Sequence, residues 1–513
     1  MRPVVYLIGT GPGDPGLISV RGLRALANAD VVLYDHLVPS RMLRYARQDA
    51  EKIDVGSAAP QPLDQEAICY LLVEKAREGK VVARLKWGDP FVFDRGGQEA
   101  LFLHEQGVTF EVVPGIPAAI GSTGYAGIPI TYPEGGDTVT FVRGYEDQSV
   151  AAPKVDWKAL ALLGGTVVCY AGPRQLPEIV KALLSNGFAK DEPAAVVYDG
   201  TLPNQKTIDG TLQDLAESKQ LLQKPAIFVV GRVAALRQHL RWFDERPLFG
   251  KRIVVTRSRE QAGELVDLLE SLGAEPIEAP MIRITPPDDY APLDQAIADA
   301  GTYQWIVFTS ANAVDAFMRR LQSGAGDIRN LKGVKLCAIG SVTATRLSKY
   351  GVNADLEPAE YRSESIVPSL REAGHTDFKG VRFLIPRADI AREVLVEELR
   401  KAGADVTDVI AYRTVLAEIE REGDPDIYRM LLEKRIDVVT FTSPSTVRNF
   451  AQVLGPEQAA DLLRTTAVAS IGPVTAEAAE QYGIATSIMP AQYTITALVD
   501  AIVAYFRAKP ASS

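Results

Sequence analysis

The chain has 513 residues, 47% of them hydrophobic, and a formal net charge of −10. That length and apolar content predict a globular protein of three or four domains, and the negative balance argues against a nucleic-acid surface. No apolar run approaches a membrane span, and the opening MRPVVYLIG lacks the apolar region of a secretory signal. Cys69, Cys169 and Cys337 are odd in number and far apart, and His36, His104, His239 and His375 are scattered. Reduced thiols in a cytoplasm and no metal site are therefore expected.

In chain order, short runs rich in Val and Ile alternate with helical patterns, which predicts an α/β protein with largely parallel sheets. Strands are expected at Val4–Gly9, Val31–Asp35, Lys52–Gly56, Val81–Lys86 and Phe110–Pro114, with helices at Gln65–Glu78 and Gly97–Gln106. Directly after the first strand comes GTGPGDPG, whose Gly11, Gly13 and Gly16 match the spacing of a dinucleotide loop, with Asp35 placed as a ribose-binding acid would be. Such a loop works by offering backbone N–H groups to a pyrophosphate. Pro12 and Pro15 remove two of those donors, and the helix starts late, near Ile18 and Ser19, so a nicotinamide or flavin site is disfavoured.

The Pro-, Gly- and acid-rich stretch Thr131–Val139 marks a boundary, followed by strands at Val139–Arg143, Thr166–Tyr170, Ala194–Tyr198 and Ala226–Val230. A second boundary falls near Trp242–Arg257, and beyond it the sequence repeats. RIVVTRSREQAGELVDLLESLGAEP from Arg252 is answered by RFLIPRADIAREVLVEELRKAGADV from Arg382, VFTSANAVDAF from Val307 by TFTSPSTVRNF from Thr440, and AIGSVTATRLSKYG from Ala338 by SIGPVTAEAAEQYG from Ser470. Three ordered matches at nearly constant offset predict two copies of one α/β unit, with a ligand cleft between similar lobes. In each copy a hydroxyl residue follows an apolar strand and opens a helix: Ser310 and Thr343, then Ser443 and Thr475. Any one of these is an ordinary cap, but four at corresponding places suggest an anion-lined cleft. Arg257 and Arg387 stand at matching positions of the repeat and join them as candidate substrate contacts.

The stretches YLIGTGPGDPGLISVRGLRALANADVVLYDHLV, RLKWGDPFVFDRGGQE, FEVVPGIPAAIGSTGYAGIPIT and PAIFVVGRVAALRQHLRWF together resemble uroporphyrinogen-III C-methyltransferase over about residues 3–245. From RPLFGKRIVVTR onward the chain is similar to uroporphyrinogen-III synthase, and the order resembles known fusions of these two enzymes of the siroheme and cobalamin pathways. The resemblance implies a two-subdomain tetrapyrrole methylase fold, 1–133 and 134–246. A two-lobed synthase at 250–513 would follow, one lobe joining 250–285 to 415–513 and the other spanning 288–410. It implies S-adenosylmethionine held by Pro12, Trp87, Gly88, Asp89, Val92, Pro117, Ala118, Ala171 and Gly200, with Asp35 as proton acceptor. For the synthase half it implies no cofactor, cyclisation of hydroxymethylbilane with inversion of the last pyrrole, and Tyr412 of IAYRT as proton donor. Partners would be small tetrapyrroles, neither nucleic acid nor membrane, with a homodimer through the first half.

The sequence departs from the methyltransferase pattern at Trp87, where the family has glycine, and at Ser57, where it has the lysine proposed as proton donor, so that donor is missing. Thr131-Tyr132-Pro133, Arg143-Gly144-Tyr145 and Ala171-Gly172 replace Thr-His-Arg, Thr-Gly-His and Met-Gly. These changes remove cationic partners for the substrate's carboxylates, of which Arg143 would restore one, and they imply altered, slow or lost methyl transfer. A tetrapyrrole-binding sensor without turnover is the competing reading, and a nicotinamide oxidoreductase ranks third.

Overall fold

The computed structural model describes residues 4–508 apart from 36, 48, 57–61, 145–154, 220, 222–223, 258, 280–281, 325, 359–364, 375–376, 390–393 and 417–425. It divides into two compact units, one of Met1–Ile253 with Val266–Pro276 and Val499–Ser513, the other of Val254–Leu265 with Ile277–Leu498.

The first sheet contains β1 (Val5–Gly9), β2 (Val31–Tyr34), β3 (Glu51–Asp54), β4 (Val82–Lys86) and β5 (Phe110–Val113), in the order β3-β2-β4-β1-β5, all parallel. Its inner strands β1 and β2 are apolar on both faces because both are covered, while the edge strand β3 is polar and β4 carries Arg84 and Lys86. Val5, Leu7, Val31 and Val82 pack with Leu72 and Leu103 of the helices Gln65–Arg77 and Gly96–Glu105, while Ile8, Val32 and Leu85 pack with Leu26 of Val20–Ala27. That last helix starts where its cap allows: the Ser19 hydroxyl accepts from Gly22 N at 3.1 Å.

The second sheet holds β6 (Val139–Gly144), β7 (Thr166–Ala171), β8 (Pro193–Tyr198), β9 (Lys206–Thr211) and β10 (Ala226–Val230), ordered β6-β7-β10-β8-β9. Here the expectation of largely parallel sheets is corrected, since β6 and β7 are parallel but the other three pairings are antiparallel. A strand buried on both faces reads the same in either direction, so hydrophobic pattern could not reveal this. β9, half-exposed, carried no apolar run and was missed.

The remaining strands form two more sheets. These are β11 (Arg252–Val255), β12 (Glu275–Glu278), β13 (Ile282–Thr285), β14 (Trp305–Phe308), β15 (Lys335–Ala338), β16 (Arg382–Ala388), β17 (Asp405–Leu416), β18 (Val438–Phe441) and β19 (Ala467–Ser470). The orders are β12-β11-β18-β19 and β13-β17-β16-β14-β15. The sequence repeat pairs β11 with β16, β12 with β17, β14 with β18 and β15 with β19. Each sheet therefore takes its first two matching strands from one copy and its last two from the other. The copies are real, but the folding unit is an exchange between them. Ile282–Thr285, expected at the end of the first lobe, is an edge strand of the second of these sheets, antiparallel to Arg413–Leu416. β17 runs past its parallel partner β16 and offers β13 that free edge.

All three cysteines are buried free thiols. Burial raises the Cys69 thiol and pushes those of Cys169 and Cys337 up to about 12. With so little thiolate, no cysteine of the native chain should react with Ellman's reagent at pH 8, and all three should after denaturation. Among the described residues no helix is long and apolar enough to cross a membrane.

Candidate functional site

In the first unit, the carboxyl ends of β1, β2, β4 and β5 bring together most of the expected site, as open parallel sheets do. Gly11 and Gly88 exchange two backbone hydrogen bonds, at 3.2 and 2.8 Å, which ties the loop after β1 to the loop after β4. The seam has no room for side chains: a Cβ on Gly115 would lie 2.2 Å from Gly88 O, and Gly88 itself sits at φ +71°. Across it, the Trp87 indole donates to Pro12 O at 2.8 Å and packs against a cluster including Ala118, Ile128 and Ile227. The indole is thus folded into the wall and braces the loop. Asp89 accepts from Gly115 N at 3.0 Å and Phe91 N at 2.8 Å, and Val92 closes the same turn onto Asp89 O.

Pro117 leads into the helix Ala118–Tyr125, whose N-terminus has no side-chain cap, and Ala119 N donates to the Tyr170 hydroxyl at 3.2 Å. Gly200 abuts this helix so closely that a Cβ would lie 2.2 Å from Ser122 Oγ. Its neighbours Asp199 and Thr201 have φ of +46° and +71°, an arrangement costing about 1–3 kcal/mol each. It is held by Thr201 N donating to Gln205 Oε1 and by Thr201 Oγ1 accepting from Asp14 N, both at 2.9 Å. Ala171 is buried beside Tyr170 at the end of β7. Arg143 stands opposite Tyr170 on the edge strand β6 with its side chain exposed, and Ser57 and Tyr145 lie outside the described residues.

The glycine loop spends its own donors. Gly11 N binds Gly88 O, Asp14 N binds Thr201, Gly16 N binds Asp14 Oδ1 at 2.7 Å, and Leu17 N binds Asp14 O. With these four donors engaged and two prolines in the loop, a pyrophosphate would find little of a cradle there, which weighs against the dinucleotide reading. Asp35 follows β2, its Oδ1 accepting from Leu37 N at 3.1 Å and its Oδ2 lying 3.6 Å from Arg84 Nη2. Arg84, Lys86, Asp94 and Glu99, an ion-pair chain that ends at Asp35, were not singled out from the sequence. The signal was present in RLKWGDPFVFDRGGQE: two cations spaced i, i+2 in a strand otherwise apolar.

In the second unit the candidates divide between two sheets. Ser310 caps the helix Ala311–Ser323 after β14, and Thr343 lies buried in the first turn of Ser341–Lys349 after β15. Ser443 caps Pro444–Leu454 after β18, and Thr475 is buried in the first turn of Pro473–Glu480 after β19. In each sheet the chain leaves its two central strands in opposite directions, a topological switch point. One switch point lies between β16 and β14, bounded by Arg387 and Ser310. The other lies between β11 and β18, where Thr256 Oγ1 donates to Thr440 O at 2.8 Å, bounded by Arg257 and Ser443. Arg387 is turned onto Asp408, at 2.9 Å, so its charge is already matched. Burial lowers the Arg257 guanidinium from its ordinary value, with Glu264 acting against that.

Tyr412 stands opposite Ala388 in the β16–β17 ladder, and its hydroxyl is 3.1 Å from Ser310 Oγ. Burial raises the phenol, Asp389 adds to this, and Ser310 and Asn312 oppose it, so the group keeps its proton. Beside it opens a cavity of about 410 Å³, within the range of small-ligand sites. Asn312, Arg319 and Arg320 of one helix face line it, with Thr285 and Tyr290 opposite. Arg320 is fixed by a bidentate pair to Asp294 at 2.6 Å and lies 4.1 Å over the Tyr290 ring. This polar stripe at helical spacing was legible in SANAVDAFMRRLQS, yet only tertiary packing shows that it faces a cavity.

Two family models match the chain: Tetrapyrrole (Corrin/Porphyrin) Methylases over residues 4–216 and Uroporphyrinogen-III synthase HemD over residues 263–500. The chain is 36% identical over 504 residues to the porphyrin biosynthesis protein HemD of Ruminiclostridium josui, covering 97% of both. It is 37% identical over 351 residues to the uroporphyrinogen-III C-methyltransferase of Bacillus subtilis, 68% of this chain and 72% of that one. A solved uroporphyrin-III C-methyltransferase of Thermus thermophilus, complexed with S-adenosyl homocysteine, shares 37% identity at a TM-score of 0.40, covering 45% of this chain and 99% of that one. The chain belongs to the family of fused enzymes of tetrapyrrole biosynthesis that join a uroporphyrinogen-III C-methyltransferase to a uroporphyrinogen-III synthase.

Proposed function

We propose that the cavity beside Tyr412 receives the terminal pyrrole of hydroxymethylbilane and that Tyr412 protonates its departing hydroxyl. The C–O bond breaks, water leaves with the phenolic proton, and the electrophilic carbon is attacked by the last ring in the inverted sense. Left unaided, the bilane closes without inversion, so the site must hold the conformation leading to the spiro intermediate. Ser310, Thr343, Ser443, Thr475 and Arg257 are assigned to the substrate's carboxylates, largely through helix N-termini, as is Arg387, which must exchange Asp408 for the substrate. Arg319 joins them from the cavity wall. The observation carrying this reading is the buried, protonated Tyr412 hydroxyl beside Ser310 next to a cavity with two arginines.

For the first half the reading is methyl transfer from S-adenosylmethionine to uroporphyrinogen III, towards precorrin-2, with Asp35 taking the ring proton. The cofactor supplies a sulfonium methyl. The crowded Gly88–Gly115 seam supports it, since it leaves space that no side chain fills, and so does the start of Ala118–Tyr125, where the N-cap residue Pro117 supplies no capping side chain and Tyr170 holds Ala119 N. Pro12, Trp87, Asp89, Val92, Pro117, Ala171 and Gly200 complete the contacts, and a Trp87 packed into the wall is compatible with turnover. A homodimer through this half and a cytoplasmic location belong to the same reading, and the buried free thiols agree with the latter.

Hydroxymethylbilane supplied with and without S-adenosylmethionine tests both halves. Type III uroporphyrinogen is expected without the methyl donor and methylated product with it. Type I isomer alone would overturn the synthase reading, and type III without methylation would overturn the other.

A further inference from the structure

Around β4 and the helix Gly96–Glu105 the first unit holds a chain of five charged groups, three of them buried and the two end carboxylates, Asp35 and Asp94, partly exposed. Lys86 Nζ lies 2.9 Å from Asp94 and 3.0 Å from Glu99 Oε1, and Arg84 Nε lies 3.3 Å from the same Glu99 oxygen. Arg84 Nη2 then reaches Asp35 Oδ2 at 3.6 Å. The side chains of Arg84, Lys86 and Glu99 are 3%, 2% and 0% exposed. Glu99 Oε1 also accepts from Gln65 at 3.1 Å, while Glu99 Oε2 is buried with no hydrogen-bond partner. Burial pushes the Glu99 carboxyl up, but Arg84 and Lys86 outweigh it and hold the group below its ordinary value.

The fold does not require this. Arg84 and Lys86 continue the face of β4 begun by Val82, which packs in the apolar core. Replacing a buried ion pair by apolar residues of similar volume is often neutral or stabilising. What the network achieves is connection: one end is Asp35, and the other is Asp94, in the loop that carries Asp89 and Val92.

We infer that Arg84, anchored by Glu99, is a positioning residue that fixes Asp35 for proton abstraction in the methyltransferase half. With Oδ1 on Leu37 N and Oδ2 facing a guanidinium that is itself immobile, the Asp35 carboxylate has one orientation. This rests on the reading of Asp35 as the proton acceptor.

A double-mutant cycle on the full-length protein tests it, measuring methyl transfer from S-adenosylmethionine to uroporphyrinogen III. Arg84→Met should lower kcat by up to about 10²-fold, the cost of a misplaced catalytic group, with KM for uroporphyrinogen III unchanged. Arg84→Lys should recover part of that loss. Combined with Asp35→Asn, Arg84→Met should cost nothing further, because it acts only through the carboxylate already removed. Multiplying losses in the double variant would overturn the inference while leaving Asp35 as the base. An unchanged rate in Asp35→Asn alone would overturn both. Should Arg84→Met fail to fold by circular dichroism, Arg84→Lys takes its place in the cycle with the same criterion.

Discussion

Tyr412→Phe should lower the rate of type III uroporphyrinogen formation by about 10²–10⁴-fold, the range lost when a positioned general acid is removed. The change is a clean one. The Tyr412 ring belongs to the buried cluster around Phe308, Leu384 and Val409, and phenylalanine keeps that packing. What disappears is the hydroxyl beside Ser310, a hydrogen bond worth about 0.5–1.5 kcal/mol to stability. Chemical denaturation should therefore find the variant nearly as stable as the parent. The isomer ratio separates chemistry from binding: bilane that is bound but not protonated is released and closes to type I, so that isomer should accumulate. A variant that still makes type III at the parental rate would remove Tyr412 from the mechanism.

Asp35→Asn should lower methyl transfer by a comparable factor, about 10²–10⁴-fold, while calorimetric binding of S-adenosylmethionine stays as it was. Asparagine keeps the acceptor for Leu37 N but cannot take the pyrrole proton. Asp35 lies outside the Gly88–Gly115 seam and the Pro12–Trp87 brace, so the proposed cofactor contacts do not depend on it. Transfer of a labelled methyl group to uroporphyrinogen III at saturating donor measures the loss. Weakened donor binding with normal turnover would instead make Asp35 a binding residue.

Much of the first unit was legible in its residues. Val and Ile runs between helical patterns located the first five strands within two residues, and Ser19 marked the helix start that a dinucleotide fold would have placed earlier. Pro12 and Pro15 correctly weakened the dinucleotide reading, although the decisive fact, that Asp14 N and Gly11 N are already bonded, needed coordinates. Trp87 read as an intruder in a glycine position. Its indole instead braces Pro12 O, which no spacing could announce, because the partner is 75 residues away.

By itself, the sequence determined the α/β class and which residue types stand at the strand ends, because these depend on local periodicity and nearby caps, while the repeat in the second half came from its self-similarity and the two family halves from motifs that resemble known families. The exchange of half-repeats between two sheets was implied by the family resemblance and not by the repeat itself, whereas strand direction in β7–β10, the cavity wall around Arg319, and the path from Asp94 to Asp35 were decided only by tertiary structure. Each of these depends on which distant segments pack together. An apolar strand buried on both faces carries no mark of its neighbour, and a charge buried inside a strand becomes intelligible only once its partners are in place.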